Sequence, residues 1–431
     1  MTPLSNRRKQ QLIYMAVDAV SALVVWLCFL LFRWMVYEGR IFGVDTVLIP
    51  AFDFYRPLFL YPLGCLTIYY LSGYYLRPIR KKYGKELLTT CISSLIIAFG
   101  AFLLIIIDDP VTNYHRYLIS LLVLLALQFT GCYLPRLLVT FLSRRRYAKV
   151  YHTFTIHSVA EVEDFKRLHA TNPQDEVIID LNGNTNEKDI YTIINRVYPD
   201  NVEVSVVPRL YDMLTGAADI RDVSDVPLVR ITEHKMSDSA ICIKRASDVA
   251  MALLCMIILS PTYLIVALLV KCSSRGPVIY KQERIGLHGL PFLILKFRTM
   301  RCNAESDTPC LSSDNDPRIT RLGHFLRKYR IDELPQMWNV LRGDMSIVGP
   351  RPERRYFIRQ IEQVAPYYCL LYRIRPGLTS WGPIKVGYTD TLDKMVQRLN
   401  YDIVYMENMS ILLDIKILFS TIGVILDGKG K

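Results

Sequence analysis

The chain has 431 residues, 51% of them hydrophobic, and 52 Lys and Arg against 40 Asp and Glu, a formal net charge of +12. That length predicts two to three domains. A mean hydropathy of +0.21 with 21% charged residues excludes both an ordinary soluble protein and a pure membrane bundle, and points to a hydrophobic part joined to soluble parts. The basic excess leaves nucleic acid, anionic lipid or phosphorylated substrates as partners, and apolar runs favour the last two. The ten cysteines are scattered, with no Cys-x-x-Cys pair and no zinc-site histidine spacing. Cys28, Cys65, Cys91 and Cys255 lie inside apolar runs as small hydrophobes, so neither disulfides nor a structural metal is expected.

In chain order, four apolar stretches come first, at residues 12–35, 54–75, 87–107 and 117–142, each near the ~20 residues that cross a bilayer. No cleavable signal is expected, because the first run lacks a small-residue cleavage site. Bases (Arg7, Arg8, Lys9; Arg77, Arg80, Lys81, Lys82, Lys85; Arg144, Arg145, Arg146, Lys149) alternate with connections carrying Asp45, Asp53, Asp108 and Asp109. Both ends of this bundle are therefore predicted to be cytoplasmic. Pro57 and Pro62 predict a kink in the second span. Asp18, near the start of the first helix, is the sole ionisable residue expected within a span, which argues against a transporter.

The middle segment, about 147–235, is soluble in character. Glu176 to Asp180 reads as a buried strand, Asp189 to Val197 as a helix and Val202 to Val207 as a second strand, a βαβ pattern. It lacks the Gly-x-Gly-x-x-Gly turn of a dinucleotide site, so a packing or dimerisation module is expected. The apolar run 249–270 is long enough to span, but Ser260-Pro261 falls in its middle. Its flanks are both basic, with Lys244 and Arg245 before and Lys271 and Arg275 after. A helix that enters, breaks at Ser260 and Pro261 and returns satisfies both flanks; a kinked span is the alternative.

Beyond it, residues 278–284 and 291–298 read as a hairpin around a Gly286–Gly289 turn. The period of two puts Lys296 and Arg298 on one face, where two cations suit a diphosphate; a solvated basic edge is the alternative. Residues 319–329 read as an amphipathic helix, with Arg321, His324, Arg327 and Lys328 on one side and Leu322, Phe325, Leu326 and Tyr329 on the other. Next come two adjacent acids, Asp332 and Glu333, with a helix predicted from 333 to 341 and Asp332 as its N-cap candidate. Out of context such a pair caps a helix; here it follows Arg321, His324, Arg327, Lys328 and Arg330, which would let it meet a phosphoryl group. Val348-Gly349-Pro350-Arg351-Pro352 and Arg375-Pro376-Gly377 hold Arg351 and Arg375 on stiff loops, where guanidinium forks suit phosphate oxygens. The tail, 401–426, mixes apolar residues with Asp414 and Lys416 and reads as an interfacial helix pair.

Lys296-Phe297-Arg298-Thr299-Met300, Asp332-Glu333-Leu334-Pro335-Gln336, Trp338-Asn339-Val340-Leu341-Arg342-Gly343-Asp344-Met345-Ser346 and Val348-Gly349-Pro350-Arg351-Pro352 together resemble the bacterial sugar transferase family, the polyprenyl-phosphate glycosyl-1-phosphate transferases. The resemblance runs from about Lys244 to the C-terminus. The four early spans resemble the long form, which starts capsule, exopolysaccharide or O-antigen assembly. It implies a membrane protein of mixed α and α/β class. The resemblance implies a four-helix transmembrane bundle over 1–146, a truncated Rossmann-like α/β module over 147–240 and an α-rich monotopic catalytic domain over 241–431, with a re-entrant helix at 245–272 broken at Ser260 and Pro261.

The implied chemistry is transfer of hexose-1-phosphate from a UDP-hexose to undecaprenyl phosphate, with release of UMP. Asp332 and Glu333 fall on the catalytic dyad: the aspartate forms a covalent phosphosugar intermediate, and Mg2+ is associated with both acids. Lys296, Arg298, Arg327, Arg351 and Arg375 are the expected substrate-binding residues. The expected setting is the bacterial inner membrane, with the catalytic domain on the cytoplasmic face, membrane lipids around it, a homodimer through the α/β module, and no nucleic acid. Two departures stand out: residues 147–155 lack the glycine that opens the family's module, and Ser380-Trp381-Gly382-Pro383 replaces a small-residue turn. The rival classes are a membrane scaffold that has lost catalysis, disfavoured by Asp332, Glu333, Lys296 and Arg327, and a nucleic-acid binder, disfavoured because the bases are not interleaved with stacking aromatics.

Overall fold

The computed structural model describes residues 3–33, 35, 51–76, 83–108, 114–147, 152–171, 176–180, 187–200, 202–207, 229–230, 236–301, 316–387 and 391–426. The acidic connections at Asp45 and Asp109 and the bases Arg77, Arg80, Lys81, Lys82 and Lys149 lie outside them. The chain forms two compact units, one of residues 1–151 with 237–243, the other of 152–236 with 244–431.

The first unit is built from α1 (Pro3–Arg33), α2 (Ala51–Leu71), α3 (Tyr83–Asp108) and α4 (Tyr114–Tyr147). Among the described residues, three helical stretches, Arg8–Arg33, Tyr83–Leu104 and Leu118–Arg145, are long and apolar enough to cross a membrane; α2 contributes a shorter apolar piece, Pro57–Leu71. Their outer faces carry Leu, Ile and Phe. The interior corrects the expectation that Asp18 is the one ionisable group within a span. Arg136 of α4, wholly buried, donates Nε and Nη2 to the two Asp18 oxygens at 2.7 and 2.8 Å and Nη1 to Thr90 at 2.9 Å. Its guanidinium also lies 3.7 and 3.9 Å from the ring centres of Tyr69 and Tyr74. Tyr75 donates to Asp18, and Tyr74 and Thr140 donate to Glu86. An isolated charge in an apolar bundle is costly, and pairing with added hydrogen bonds offsets that cost.

The second unit begins with three parallel strands, β1 (Thr153–Ile156), β2 (Glu176–Ile179) and β3 (Glu203–Val206), and an antiparallel β4 (Val229–Arg230), in sheet order β1-β2-β3-β4. Helices α5 (Glu161–Thr171) and α6 (Glu187–Val197) make the crossovers. The predicted βαβ is present, and a strand and helix precede it. Its opening turn needs no glycine: Glu161 accepts from the His157 backbone N–H at 2.8 Å and from the Ser158 hydroxyl at 3.1 Å, which fastens the turn that leads into α5. The sheet's core residues, such as Ile179, Ile193 and Val197, join one buried cluster with Phe357, Ile361 and Tyr368 from the C-terminal part.

Helices α7 (Asp238–Ile258) and α8 (Ser260–Ser273) meet at Leu259 with a 64° bend. Pro261 sits in the first turn of α8, where its missing N–H costs nothing, and Ser260 Oγ donates to Ile257 O at 2.8 Å. Lys244 and Arg245 are more than flank charges. Lys244 donates to Val348 O and Asp414, and Arg245 to Leu341 O, so both tie α7 to the C-terminal core. The hairpin is β5 (Ile279–Ile285) with β6 (Pro291–Phe297), antiparallel. After it come α9 (Arg321–Lys328), a 3-10 turn (Ile331–Glu333), α10 (Gln336–Arg342), β7 (Ser346–Val348), α11 (Arg355–Val364), a 3-10 stretch (Pro366–Arg373), β8 (Gly377–Thr379), α12 (Trp381–Val386), α13 (Leu392–Glu407) and α14 (Ile411–Leu426). The tail is thus a helix pair, as expected, with its first helix starting earlier.

Candidate active site

The site is assembled on the short turn between α9 and α10. Thr320 caps α9, accepting from Gly323 N at 2.9 Å, and its own N–H donates to Thr299 O. A Cβ on Gly323 would strike the Thr299 backbone, so only glycine lets the helix lie this close to the end of β6. Arg330 then takes a left-handed conformation, φ 53°, which reverses the chain into the 3-10 turn Ile331–Glu333. A non-glycine residue held there is strained by of order 1–3 kcal/mol and persists where its surroundings fix it.

This geometry corrects the N-cap expectation. The α-helix starts at Gln336 with Pro335 as its N-cap, not at Glu333, and Asp332 lies in the preceding turn. Tyr263 of α8 fastens that turn by donating to Leu334 O at 2.7 Å, and Ile331 and Leu334 pack against Val266, Val270, Phe297 and Leu326. The acid pair is therefore fixed to the second half of the bent helix.

Both acids are 7% exposed, but their surroundings differ. Glu333 is held by three cations: Lys296 at 2.9 Å and Arg351 at 3.2 Å on Oε1, and Arg330 at 3.3 Å on Oε2. Burial opposes its ionisation, but Lys296, Arg351 and Arg330 outweigh that and hold its carboxyl well below the usual range. Asp332 accepts no hydrogen bond and has no ion pair among the described residues. Burial pushes its carboxyl up to about 6, with Glu333 adding to the rise and Lys296, Arg327 and Arg330 opposing it. The arrangement is a permanent carboxylate that gathers cations beside a second carboxyl with open oxygens, a device suited to attack on an anionic centre.

Of the expected cations, the structure brings Lys296, Arg327 and Arg351 to the acids. Arg327 is oriented by donating Nε to Thr299 Oγ1 at 2.9 Å. Arg298 is used differently. It lies just past β6, 7% exposed, and donates to Pro277 O, Ser274 O and Val270 O at 2.6 to 3.1 Å, closing the carbonyl end of α8. The shared face predicted for Lys296 and Arg298 ends with the strand at Phe297. Arg375 donates Nε to Gly343 O at 3.0 Å, at the C-terminus of α10.

The family model described as Bacterial sugar transferase matches residues 239–428, the stretch that carries this site. Over 181 residues the chain is 42% identical to a UDP-glucose:undecaprenyl-phosphate glucose-1-phosphate transferase of Caulobacter vibrioides, covering 42% of this chain and 68% of that protein. The chain belongs to the bacterial sugar transferase family. It is also 37% identical over 232 residues to the protein of the same name in Escherichia coli K12, covering 53% of this chain and 50% of that one. It is 36% identical over 256 residues to a UDP-N-acetylgalactosamine-undecaprenyl-phosphate N-acetylgalactosaminephosphotransferase of Aeromonas hydrophila, covering 59% of this chain and 60% of that one. The chain thus spans about half to three fifths of the length of these last two relatives.

The sequence places Arg330 only in the basic run before the acids, not among the expected substrate-binding residues, and it does not show the contacts around Arg351. The backbones of the Gly349 and Gly377 loops touch, Gly349 N donating to Thr379 O and Gly377 N to Pro350 O. Asp402 accepts from the Arg351 backbone N–H, from Gly382 N and from Ser380 Oγ, which gives the Ser380-Trp381-Gly382-Pro383 turn a structural task. Glu353 bridges Arg284 and Arg398. Among the described residues no three His, Cys, Asp or Glu side chains converge as a metal cage. Magnesium keeps several waters and binds through one or two carboxylates plus substrate phosphates. The open oxygens of Asp332 fit that role; Glu333 fits it only by giving up a cation.

Proposed function

We propose that this protein is an undecaprenyl-phosphate hexose-1-phosphate transferase that takes its sugar phosphate from a UDP-hexose and releases UMP. The observation that carries the reading is the pairing of an open, buried Asp332 carboxyl with a Glu333 clamped by Lys296, Arg330 and Arg351. The names of its relatives support the donor and acceptor classes.

In this reading an Asp332 oxygen attacks the phosphorus that bears the sugar. The new bond is carboxylate O–P. The bond broken is the bridging P–O to the second phosphate, whose electron pair leaves with UMP. An oxygen of the lipid phosphate then attacks the same phosphorus and Asp332 departs as a carboxylate, leaving the sugar on a lipid-linked diphosphate. Lys296, Arg327 and Arg351 offset repulsion between carboxylate and diphosphate, and the fixed turn supplies orientation. Asp332, and Glu333 if it released a cation, would hold a magnesium ion, which would supply charge neutralisation for the diphosphate.

The setting belongs to the same proposal. The four helices of the first unit span the bacterial inner membrane, with α2 as the fourth. The bent pair α7–α8 enters and returns at Ser260-Pro261, so the site faces the cytoplasm at the lipid boundary. The 1–146, 147–240 and 241–431 division describes anchor, module and catalyst, and the chain works as a homodimer in starting capsule, exopolysaccharide or O-antigen assembly. The exposed apolar side chains of α8 and α14, among them Leu264, Leu268, Leu412 and Phe419, support a lipid-facing surface.

The test is direct. Full-length protein in lipid, given undecaprenyl phosphate, Mg2+ and a panel of UDP-hexoses, releases UMP with at least one donor, and Asp332→Asn reduces release by at least ~10³-fold. No release across the panel favours the scaffold reading.

A further inference from the structure

The second unit holds a cavity of about 770 Å3 between α6 and α11, within the ~300–1,000 Å3 range of small-molecule sites. Its lining does not include Asp332 or Glu333. Arg196, Arg355 and Arg359 line it and are exposed, and none has a hydrogen bond or ion pair among the described residues. Three guanidiniums on one cavity, with no hydrogen bond tying them to the protein, suit an anion. The acid there, Glu362, is tied by Asn195, whose amide donates to Oε1 at 2.8 Å. Burial raises its pKa, with Asn195 and the two arginines of its own helix opposing. Tyr191, Tyr372, Ile285 and Ile358 supply flat and apolar wall.

The cavity is mechanically close to the acid pair. Arg355 opens α11, four residues after Arg351, which grips Glu333. Ile285, another wall residue, donates its N–H to Glu353 O at 3.0 Å, and neighbouring Arg284 pairs with the Glu353 side chain. A ligand drawing Arg355 and Ile285 together acts on the segment that holds Arg351.

We propose that this cavity binds a soluble nucleoside phosphate, whose phosphates engage Arg196, Arg355 and Arg359 and whose flat ring lies against the tyrosine wall, and that its occupancy tunes the Arg351 loop. The binding half stands on the cavity alone; the tuning half rests on the transferase reading. Asp332→Asn chain in phosphatidylcholine nanodiscs is titrated calorimetrically with ATP, GTP and pyrophosphate. At least one nucleotide binds saturably and more tightly than pyrophosphate. Arg196→Ala/Arg359→Ala weakens it at least tenfold, while Arg359→Lys, which keeps the charge, weakens it less. Absence of saturable binding, or equal binding by the Ala variant, overturns the site. Pyrophosphate binding as tightly as the nucleotides overturns the ligand class, and so does displacement of the nucleotide by phosphatidylglycerol added to the disc. Because no turnover is measured, a chain inactive with every UDP-hexose leaves this result readable. In the unsubstituted chain the bound nucleotide changes UMP release at least twofold and the Ala variant removes that response; unchanged release overturns the tuning.

Discussion

At the scale of single residues, the two acids are made unequal by what surrounds them. Asp332 is raised by burial and Glu333 is lowered by its cations. A carboxyl with a raised folded-state pKa destabilises the fold once ionised: the cost is absent below the ordinary carboxylate range, grows as pH rises through it, and is complete above about 6. Asp332→Asn is therefore more stable than the parent at pH 7.5, by up to roughly 3 kcal/mol, and melts higher there; the difference shrinks away as pH falls through the ordinary carboxylate range. A thermal melt at both pH values checks this. The same electrostatics set the acid limb of kcat/KM, because the nucleophile works only as a carboxylate. Lys296→Gln removes a cation that lowers Asp332 and moves that limb to higher pH. Glu333→Gln removes an anion that raises Asp332 and moves it to lower pH. Shifts in one direction for both contradict the assignment. The acid pair and its cations Lys296 and Arg351 were legible because they sit in motifs, and Arg327 because it lies on the basic face of the helix before them. The role of Arg298 was not, because the strand ends at Phe297 and the next side chain turns to the carbonyls of α8, a placement that depends on where a distant helix stops.

At the scale of elements, the break at Leu259 was readable from Ser260-Pro261, since proline can open a helix but not continue one. The start of α10 was not, because Arg330 in the left-handed region inserts an extra turn before it. If α7–α8 enters and returns, Cys272 on the last turn of α8, kept as the only cysteine, is modified by an impermeant thiol reagent in inverted vesicles and not in spheroplasts. The opposite pattern means a span. Within the first unit, Asp18 and Arg136 are one device. Arg136→Met costs about 3–5 kcal/mol by stranding a buried carboxylate, and adding Asp18→Asn recovers part of it. A melting cycle in detergent measures the coupling, and strictly additive losses would contradict it.

For the whole molecule, organisation follows from where apolar surface has to go. Each end of the chain presents leucine, isoleucine and phenylalanine outward, and the polar machinery between them is packed within the second unit. Hydropathy exposed the apolar runs and the two soluble parts. It did not reveal that the module's sheet and the C-terminal helices share one core, because such contacts join residues far apart in sequence, as Ile193 and Phe357 are. Arg136 stands inside the fourth apolar run, 117–142, but its role depends on a partner 118 residues away.

The central claim is that an Asp332 oxygen becomes bonded to the sugar-bearing phosphorus. Full-length protein is incubated with a UDP-hexose labelled at that phosphorus, without lipid acceptor, then quenched, digested and mapped by mass spectrometry. The account predicts a phosphosugar adduct on the peptide containing Asp332, chased by undecaprenyl phosphate and missing in Asp332→Asn. UMP release by active protein with no adduct at that residue, or with the label on another side chain, would contradict it.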